Sequence, residues 1–359
     1  WMAWAEDADA FTQFAVWRRA VFWYATALPK LSGDARVRAD AQMDSVGDKL
    51  ADKTWTVTRE LPWVEGPPGQ LRHFQGHTAR VVTLAVSRNG RWLVSGSYDG
   101  AIRTWDLATG DERHQIASGF RRLGGVALTL NDRYVVGHGG TKEIAVWDFR
   151  NGQLANRLPA SKTYIGCVSA SPAGDLMAWG LRAPGPDNVV IYDAVRRRGL
   201  RSLSCVGHVR SLAFSPEARR LVTVDANNTL IRWDLTTGTP LLQDKTSQLV
   251  NQVVFSPNGR HVATLASQEI RIWDLVRGGL AHQIPTTNIP YQITFLADGM
   301  HLASAGYRHE VNIWDVKTGD NIRTVVVGGS TRIGYLRSIA ALPDPRAFAV
   351  GDDDGGVYV

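Results

Sequence analysis

Cysteine is nearly absent from this 359-residue chain. The two present, Cys167 and Cys205, belong to no CxxC pair, which excludes a disulfide framework and a thiolate-built zinc site. No bond between them is expected, since the repeat described below puts one on an inner strand and the other on an outer strand, as suits a reducing compartment. Missing too are the HExxH, GxxxxGK[ST] and GxSxG patterns that mark metalloproteases, phosphate-loop enzymes and serine hydrolases. No apolar run reaches the roughly 20 residues that cross a bilayer. The stretch that comes nearest, close to the N-terminus, is broken by Arg18-Arg19. Lysine is scarce, so the net charge of +6 comes largely from arginine and leans towards acidic partners. A hydrophobic content of 44% over this length is that of an ordinary globular protein with a large core.

What is present is a repeat. Trp105-Asp106, Trp147-Asp148, Tyr192-Asp193, Trp233-Asp234, Trp273-Asp274 and Trp314-Asp315 follow one another at spacings of 42, 45, 41, 40 and 41 residues. A four-stranded propeller blade takes about 40–45 residues. Each block runs from an apolar strand through a Ser-Pro or Asn-Gly turn, as in Ser215-Pro216, Asn258-Gly259 and Asn89-Gly90. A second strand, a polar turn and the aromatic-Asp strand follow, then a Thr-Gly or Asn-Gly turn (Thr109-Gly110, Asn151-Gly152, Thr237-Gly238, Thr318-Gly319). Turn residues at fixed offsets between period-two apolar runs are the signature of hairpins.

These residues resemble the WD-repeat family of β-propellers. Gly76-His77 through Asp106 is the fullest match, and the resemblance covers roughly 70–359. In the family, a His, a Ser or Thr, an Asp and the Trp form a hydrogen-bonded chain that stiffens the blade. The resemblance carries these roles to His77, Ser95, Asp99 and Trp105, and nearly completely to His208, Thr223, Asn227 and Trp233. Blade two lacks the His and the turn Asp, blade three has Tyr192 for Trp, and blade five has Ala263 and Ser267 at the Ser and Asp positions. Several turn sequences are also similar to bacterial members of the family. The motif speaks for fold and is silent about partner.

Strand counting predicts an all-β, seven-bladed propeller of four-stranded blades. Six inner sets precede an aromatic-Asp pair and a seventh starts near Tyr335. Six outer strands follow those sets, and one orphan, Leu71–Phe74, precedes the first Gly-His. Seven and seven match only if Leu71–Phe74 completes the last blade and closes the ring.

Residues 1–69 read as a separate, mainly helical segment, ending at the Gly66-Pro67-Pro68-Gly69 breaker ahead of a propeller at 70–359. Eight aromatics fall within Trp1–Tyr24. Such a load predicts a helix over Trp1–Leu28 packed on another domain or subunit, with the propeller's own surface or a membrane interface as the other readings. A second helical stretch is expected at Ala35–Leu50 and a strand at Thr54–Val57. The chain begins at Trp1, and the aromatic expected of the last blade would stand just after Val359; both ends read as cuts in a longer polypeptide.

Other candidate motifs have plainer readings. Gly137 through Lys142 looks like a phosphate loop but lies between two strands, not before a helix. Asp352-Asp353-Asp354 could ligate a cation yet occupies the hairpin turn of Asp99, and reads as a solvated turn. Asn227-Asn228-Thr229 fits a glycosylation site and also a turn. Arg196-Arg197-Arg198 with Arg201 has no interleaved aromatics, so it reads as an outer edge and nucleic acid is not the expected partner. His138, His261, His282, His301 and His309 show no ligand spacing and read as surface or turn residues.

No catalytic residue, metal site or cofactor is therefore expected. Aligning the inner strands brings Val82, Gly124, Gly166, Arg210, Asn251, Tyr291 and Arg337 into one layer at a channel mouth. Arg210, Asn251, Tyr291 and Arg337, extended by Tyr307 and Arg308, read either as ordinary rim residues facing water or as a crescent over blades four to seven suited to carboxylate or phosphate. The expected function is a non-catalytic interaction or scaffold module, cytoplasmic, binding an acidic or polar segment of a protein partner. The alternative is the ligand-sensing C-terminal propeller of a signalling protein, a nucleotide-hydrolysing switch or a kinase. A propeller enzyme is the third reading, disfavoured because the mouth layer carries no acid, His or metal site.

Overall fold

A computed structural model of the chain describes residues 72–359, apart from 130–131, 160–162, 173–174, 247 and 328–333. The helices expected at Trp1–Leu28 and Ala35–Leu50, the strand at Thr54–Val57 and the boundary at 66–69 lie outside the described residues. Those described are all β, with no helix. Their strands form seven antiparallel four-stranded sheets, six of them consecutive in sequence.

The inner strands are Val81–Val86, Gly125–Thr129, Ile165–Ala170, Val209–Phe214, Val250–Phe255, Pro290–Phe295 and Leu336–Ala341. Each touches the inner strand of the next blade, and the first touches the seventh. The seventh sheet is completed by the N-terminal strand His73–Phe74, paired antiparallel with Val357–Tyr358. Arg72 and Val359 extend this pairing by exchanging backbone hydrogen bonds at 3.2 and 3.0 Å. Leu71, the first residue of the expected closing strand, lies outside the described residues. The rings of His73 and Tyr358 stack at 4.4 Å, and Phe74 is buried against Trp105 at 5.2 Å, so closure carries side-chain packing as well as backbone bonds.

Burial explains the sequence pattern. Second strands such as Leu93–Ser97 and Leu302–Gly306 are buried throughout because each is covered on both faces by neighbouring blades, and they read as apolar runs rather than alternations. Outer strands such as Glu112–Ala117 face water and read as polar. The core therefore lies between blades: Val94 and Ile102 of blade one pack with Phe120, Leu123, Val135 and Trp147 of blade two. Close approach requires glycine at Gly180 and Gly351, where an added Cβ would stand 2.5 Å from Val209 and 2.6 Å from Val81 of the following blade.

The aromatic-Asp pair has two separate duties. The aromatic enters the inter-blade core. The Asp caps the next turn: Asp106 Oδ1 accepts the backbone N–H groups of Ala108 and Thr109, and Asp234, Asp274 and Asp315 do the same in their blades.

Candidate binding face at the channel mouth

In blade one the indole N–H of Trp105 donates to Ser95 Oγ at 2.9 Å, and His77 Nε2 lies 2.8 Å from the same oxygen. His77 Nδ1 pairs with Asp99 at 2.9 Å, and Asp99 also accepts the backbone N–H of Thr78. Burial holds the His77 imidazole below its ordinary pKa, although Asp99 pulls the other way.

Blade four is built differently. Trp233 donates to Thr223 Oγ1 at 2.9 Å, but the second partner of Thr223 is the Cys205 thiol at 3.3 Å. His208 is half-buried and its side chain makes no hydrogen bond among the described residues. Asp225, not Asn227, organises the turn, accepting the N–H groups of Gly207, Asn227 and Thr229. The reason is an offset: Cys205 precedes Thr223 by 18 residues, as His77 precedes Ser95, whereas His208 adjoins the inner strand. Burial pushes the Cys205 thiol up to about 11, so it stays protonated.

In blade five, Trp273 donates to Thr264 Oγ1 at 3.2 Å, and Thr264 rather than Ala263 holds the hydroxyl position. The hairpin there is one residue shorter, with acceptor and Trp separated by 9 residues instead of the 10 of blade one. Trp314 of blade six donates to Ser304 at 2.9 Å.

At the mouth, six inner strands carry a β-bulge at one common position. The register shifts between Val81 and Thr83, Ile165 and Cys167, Val209 and Ser211, Val250 and Gln252, Pro290 and Gln292, and Leu336 and Ser338. The skipped residues are Val82, Gly166, Arg210, Asn251, Tyr291 and Arg337. A bulge leaves its extra residue outside the ladder and re-aims the side chain, so these six residues share one register position and one local geometry. Blade two has no such shift; Gly124 pairs through its N–H with His138 O at 2.7 Å. A Cβ on Gly124 would stand 2.7 Å from the His138 ring, so a glycine is needed above that buried imidazole. His138 and His309 are buried, not surface residues.

The crescent divides in two. Arg210 donates to Asn251 Oδ1 at 3.2 Å across blades four and five. Separately, Arg337 is clamped by Asp353, with Nε at 2.6 Å from Oδ1 and Nη2 at 3.2 Å from Oδ2. Its guanidinium lies 4.1 Å from the Tyr291 ring and 4.6 Å from that of Tyr335. Tyr307 packs on Tyr335 at 5.1 Å, and Arg308 lies over Tyr307 at 5.7 Å. Asp353 thus lies in the hairpin turn, partly exposed, with its carboxylate engaged by Arg337. Asp352 is buried and accepts a hydrogen bond from the Tyr358 hydroxyl at 3.0 Å.

The network continues where the sequence showed nothing. Arg80 Nε lies 3.8 Å from Asp353, and Arg80 and Arg122 both lie over the Tyr98 ring, at 5.4 and 5.3 Å. Six arginines stand at or beside the inner-strand starts or on the adjoining hairpin turns: Arg80, Arg122, Arg182, Arg210, Arg308 and Arg337. Among the described residues only Asp353 forms an ion pair with any of them. Beside them stand exposed apolar side chains, Tyr164 at 57%, Leu249 at 39%, Ile289 at 48% and Tyr291 at 37% accessibility. Tyr98, Tyr335, Arg80 and Arg122 were not marked by the sequence as site residues; the signal that could have found most of them was the residue at the start of each inner strand.

The family model described as "WD domain, G-beta repeat" matches residues 69–106, 200–234 and 238–274, which carry blades one, four and five. Three blades of this propeller thus match WD repeats. Among similar proteins is U3 small nucleolar RNA-associated protein 21 of Saccharomyces cerevisiae, 29% identical over 187 residues, covering 51% of this chain and 19% of the relative. Small ribosomal subunit protein RACK1y of Oryza sativa is 26% identical over 215 residues, covering 46% and 62%. Nuclear distribution protein nudF of Emericella nidulans is 28% identical over 187 residues, covering 46% and 42%. The chain therefore matches less than two thirds of the length of each.

The remaining candidates lie within the architecture of the WD-repeat propeller. Gly137–Lys142 joins two strands of blade two, and Asn227-Asn228 forms the turn capped by Asp225. Arg196 pairs with Asp193 at 2.8 Å, and Arg201 donates to Thr236 O. Among the described residues no group of three or more His, Cys, Asp or Glu could hold a metal ion. No described helix is long and apolar enough to cross a membrane.

Proposed function

We propose that this propeller is a non-catalytic interaction module whose channel-mouth face docks a polar or acidic segment of a protein partner. The observation that carries this is the imbalance at the mouth: six arginines against one paired carboxylate, beside a row of exposed apolar side chains. Guanidinium and tyrosine groups held on rigid strands are the chemistry of interface anchors. A rigid propeller presents them with little ordering entropy lost on binding. The carboxylate that pairs with these arginines, Asp353, is taken by Arg337, which leaves it unsuited to proton transfer. Relatives named for a small nucleolar RNA and for the small ribosomal subunit are consistent with a scaffold role. The test is photo-crosslinking in cells of the native source, with a benzophenone side chain at Tyr307 or at exposed Met300 on the opposite face. A protein captured from Tyr307 and not from Met300 is the expected result; equal capture from both, or from neither, rejects the docking face.

A further inference from the structure

We infer that the docked segment is bipartite, with a carboxylate-bearing end held by Arg80 and Arg122 on blades one and two and an aliphatic end lying on blades three to six. This rests on the docking face proposed above and gives it a polarity. The charged anchor is not the crescent of blades four to seven. Arg337 already has its Nε/Nη2 edge engaged by Asp353 and its plane packed on Tyr291 and Tyr335. Arg210 is turned to Asn251 and its Nε is buried.

Arg80 and Arg122 are different. Both are exposed; Arg122 pairs with no carboxylate among the described residues, and Arg80 has only Asp353 at 3.8 Å. Lying on the Tyr98 ring, they are pre-ordered with N–H edges left for an oxygen pair, and planar two-point recognition suits a carboxylate. Arg80 directly precedes the inner strand of blade one, and Arg122 holds the equivalent place in blade two, three residues before Gly125. The same position in the following blades is Tyr164, His208, Leu249 and Ile289, three of them exposed apolar groups. One register position around the ring therefore changes from cationic to apolar. A segment crossing the mouth meets both kinds of surface, and charge complementarity sets its direction.

The probe is a fluorescein-labelled synthetic peptide with glutamates at one end and leucines at the other, followed by anisotropy with the full chain. Replacing the glutamates by glutamine, or using the Arg80→Ala/Arg122→Ala variant, should weaken binding at least about tenfold. That difference should shrink between about 0.05 M and about 0.5 M salt. Leu249→Ser/Ile289→Ser should weaken the leucine peptide but not its serine version. Arg80→Glu/Arg122→Glu should recover affinity for a peptide with lysines in place of the glutamates, which a merely misfolded variant would not do. Parent-like binding by Arg80→Ala/Arg122→Ala, equal binding of the glutamine peptide, or no binding of the probe overturns the inference. Preference for a phosphoserine peptide, or displacement of the probe by a single-stranded oligonucleotide, overturns it as well. Crosslinking at Tyr307 that survives any of these results leaves the docking face standing without this polarity.

Discussion

Arg337 and Asp353 form a two-point ion pair at the channel mouth, 2.6 and 3.2 Å at its two contacts, with both side chains mostly shielded from solvent. A basic opening thus contains its own counter-charge, and that carboxylate also stands near Arg80.

Asp353→Asn should release both arginines at once. The expected loss of stability is about 1 kcal/mol, the scale of a partly shielded pair. Affinity for the acidic peptide should rise and become more salt-dependent. Urea denaturation and anisotropy measure the two effects. Unchanged stability together with unchanged affinity would show the pair to be idle.

Thr264→Val should strand the indole N–H of Trp273, which is buried and has Thr264 as its acceptor. A buried donor left without a partner costs about 1–3 kcal/mol. Thr264→Ser, which keeps the hydroxyl, should cost clearly less. Thermal denaturation of the pair of variants separates the hydrogen bond from the lost methyl.

Acid should destabilise the propeller through its buried histidines. Burial holds His138 down at about 4, with Arg182 adding to the effect, and holds His261 below its ordinary value of 6.5. A depressed histidine is neutral in the folded state but binds a proton in the unfolded chain. Its stability contribution is therefore whole above about pH 6.5 and is lost as the pH falls towards about 4, by up to about 3 kcal/mol for His138. His301 opposes this: burial lowers it, but Asp298 outweighs burial and holds it above its ordinary value, so its contribution is lost as the pH rises. Urea midpoints at about pH 7 and about pH 4.5 should differ less in His138→Asn than in the parent.

Ring closure should depend on the residues just before the first Gly-His. A fragment of residues 70–359 keeps the strand that pairs with Val357–Tyr358, and should remain monomeric. A fragment of 76–359 exposes that edge and should aggregate. Phe74→Ala, within the full chain, should cost about 3 kcal/mol by removing a buried ring from Trp105. Light scattering and denaturation together decide it; a soluble 76–359 fragment of parental stability would mean that closure is dispensable.

The sequence by itself determined the architecture. Blade number, strand order and closure follow from Trp-Asp spacing and turn residues, because hairpins are local and a ring that must close permits arithmetic. It also picked out one register position, from Val82 to Arg337, at which six of the seven inner strands bulge. Only the tertiary structure decided what those residues do. The bulges at six of these positions are seen only in the strand register, and the partners of Arg337 come from three separate strands and turns. A one-residue difference in a hairpin moved the blade-five hydroxyl from Ala263 to Thr264, and a loop offset gave Thr223 a thiol in place of His208. Arg80 and Arg122 meet on Tyr98 because two blades abut there. Periodicity along a chain records which face a residue is on; which charge meets which ring across blades depends on distances of a few ångströms that no spacing encodes.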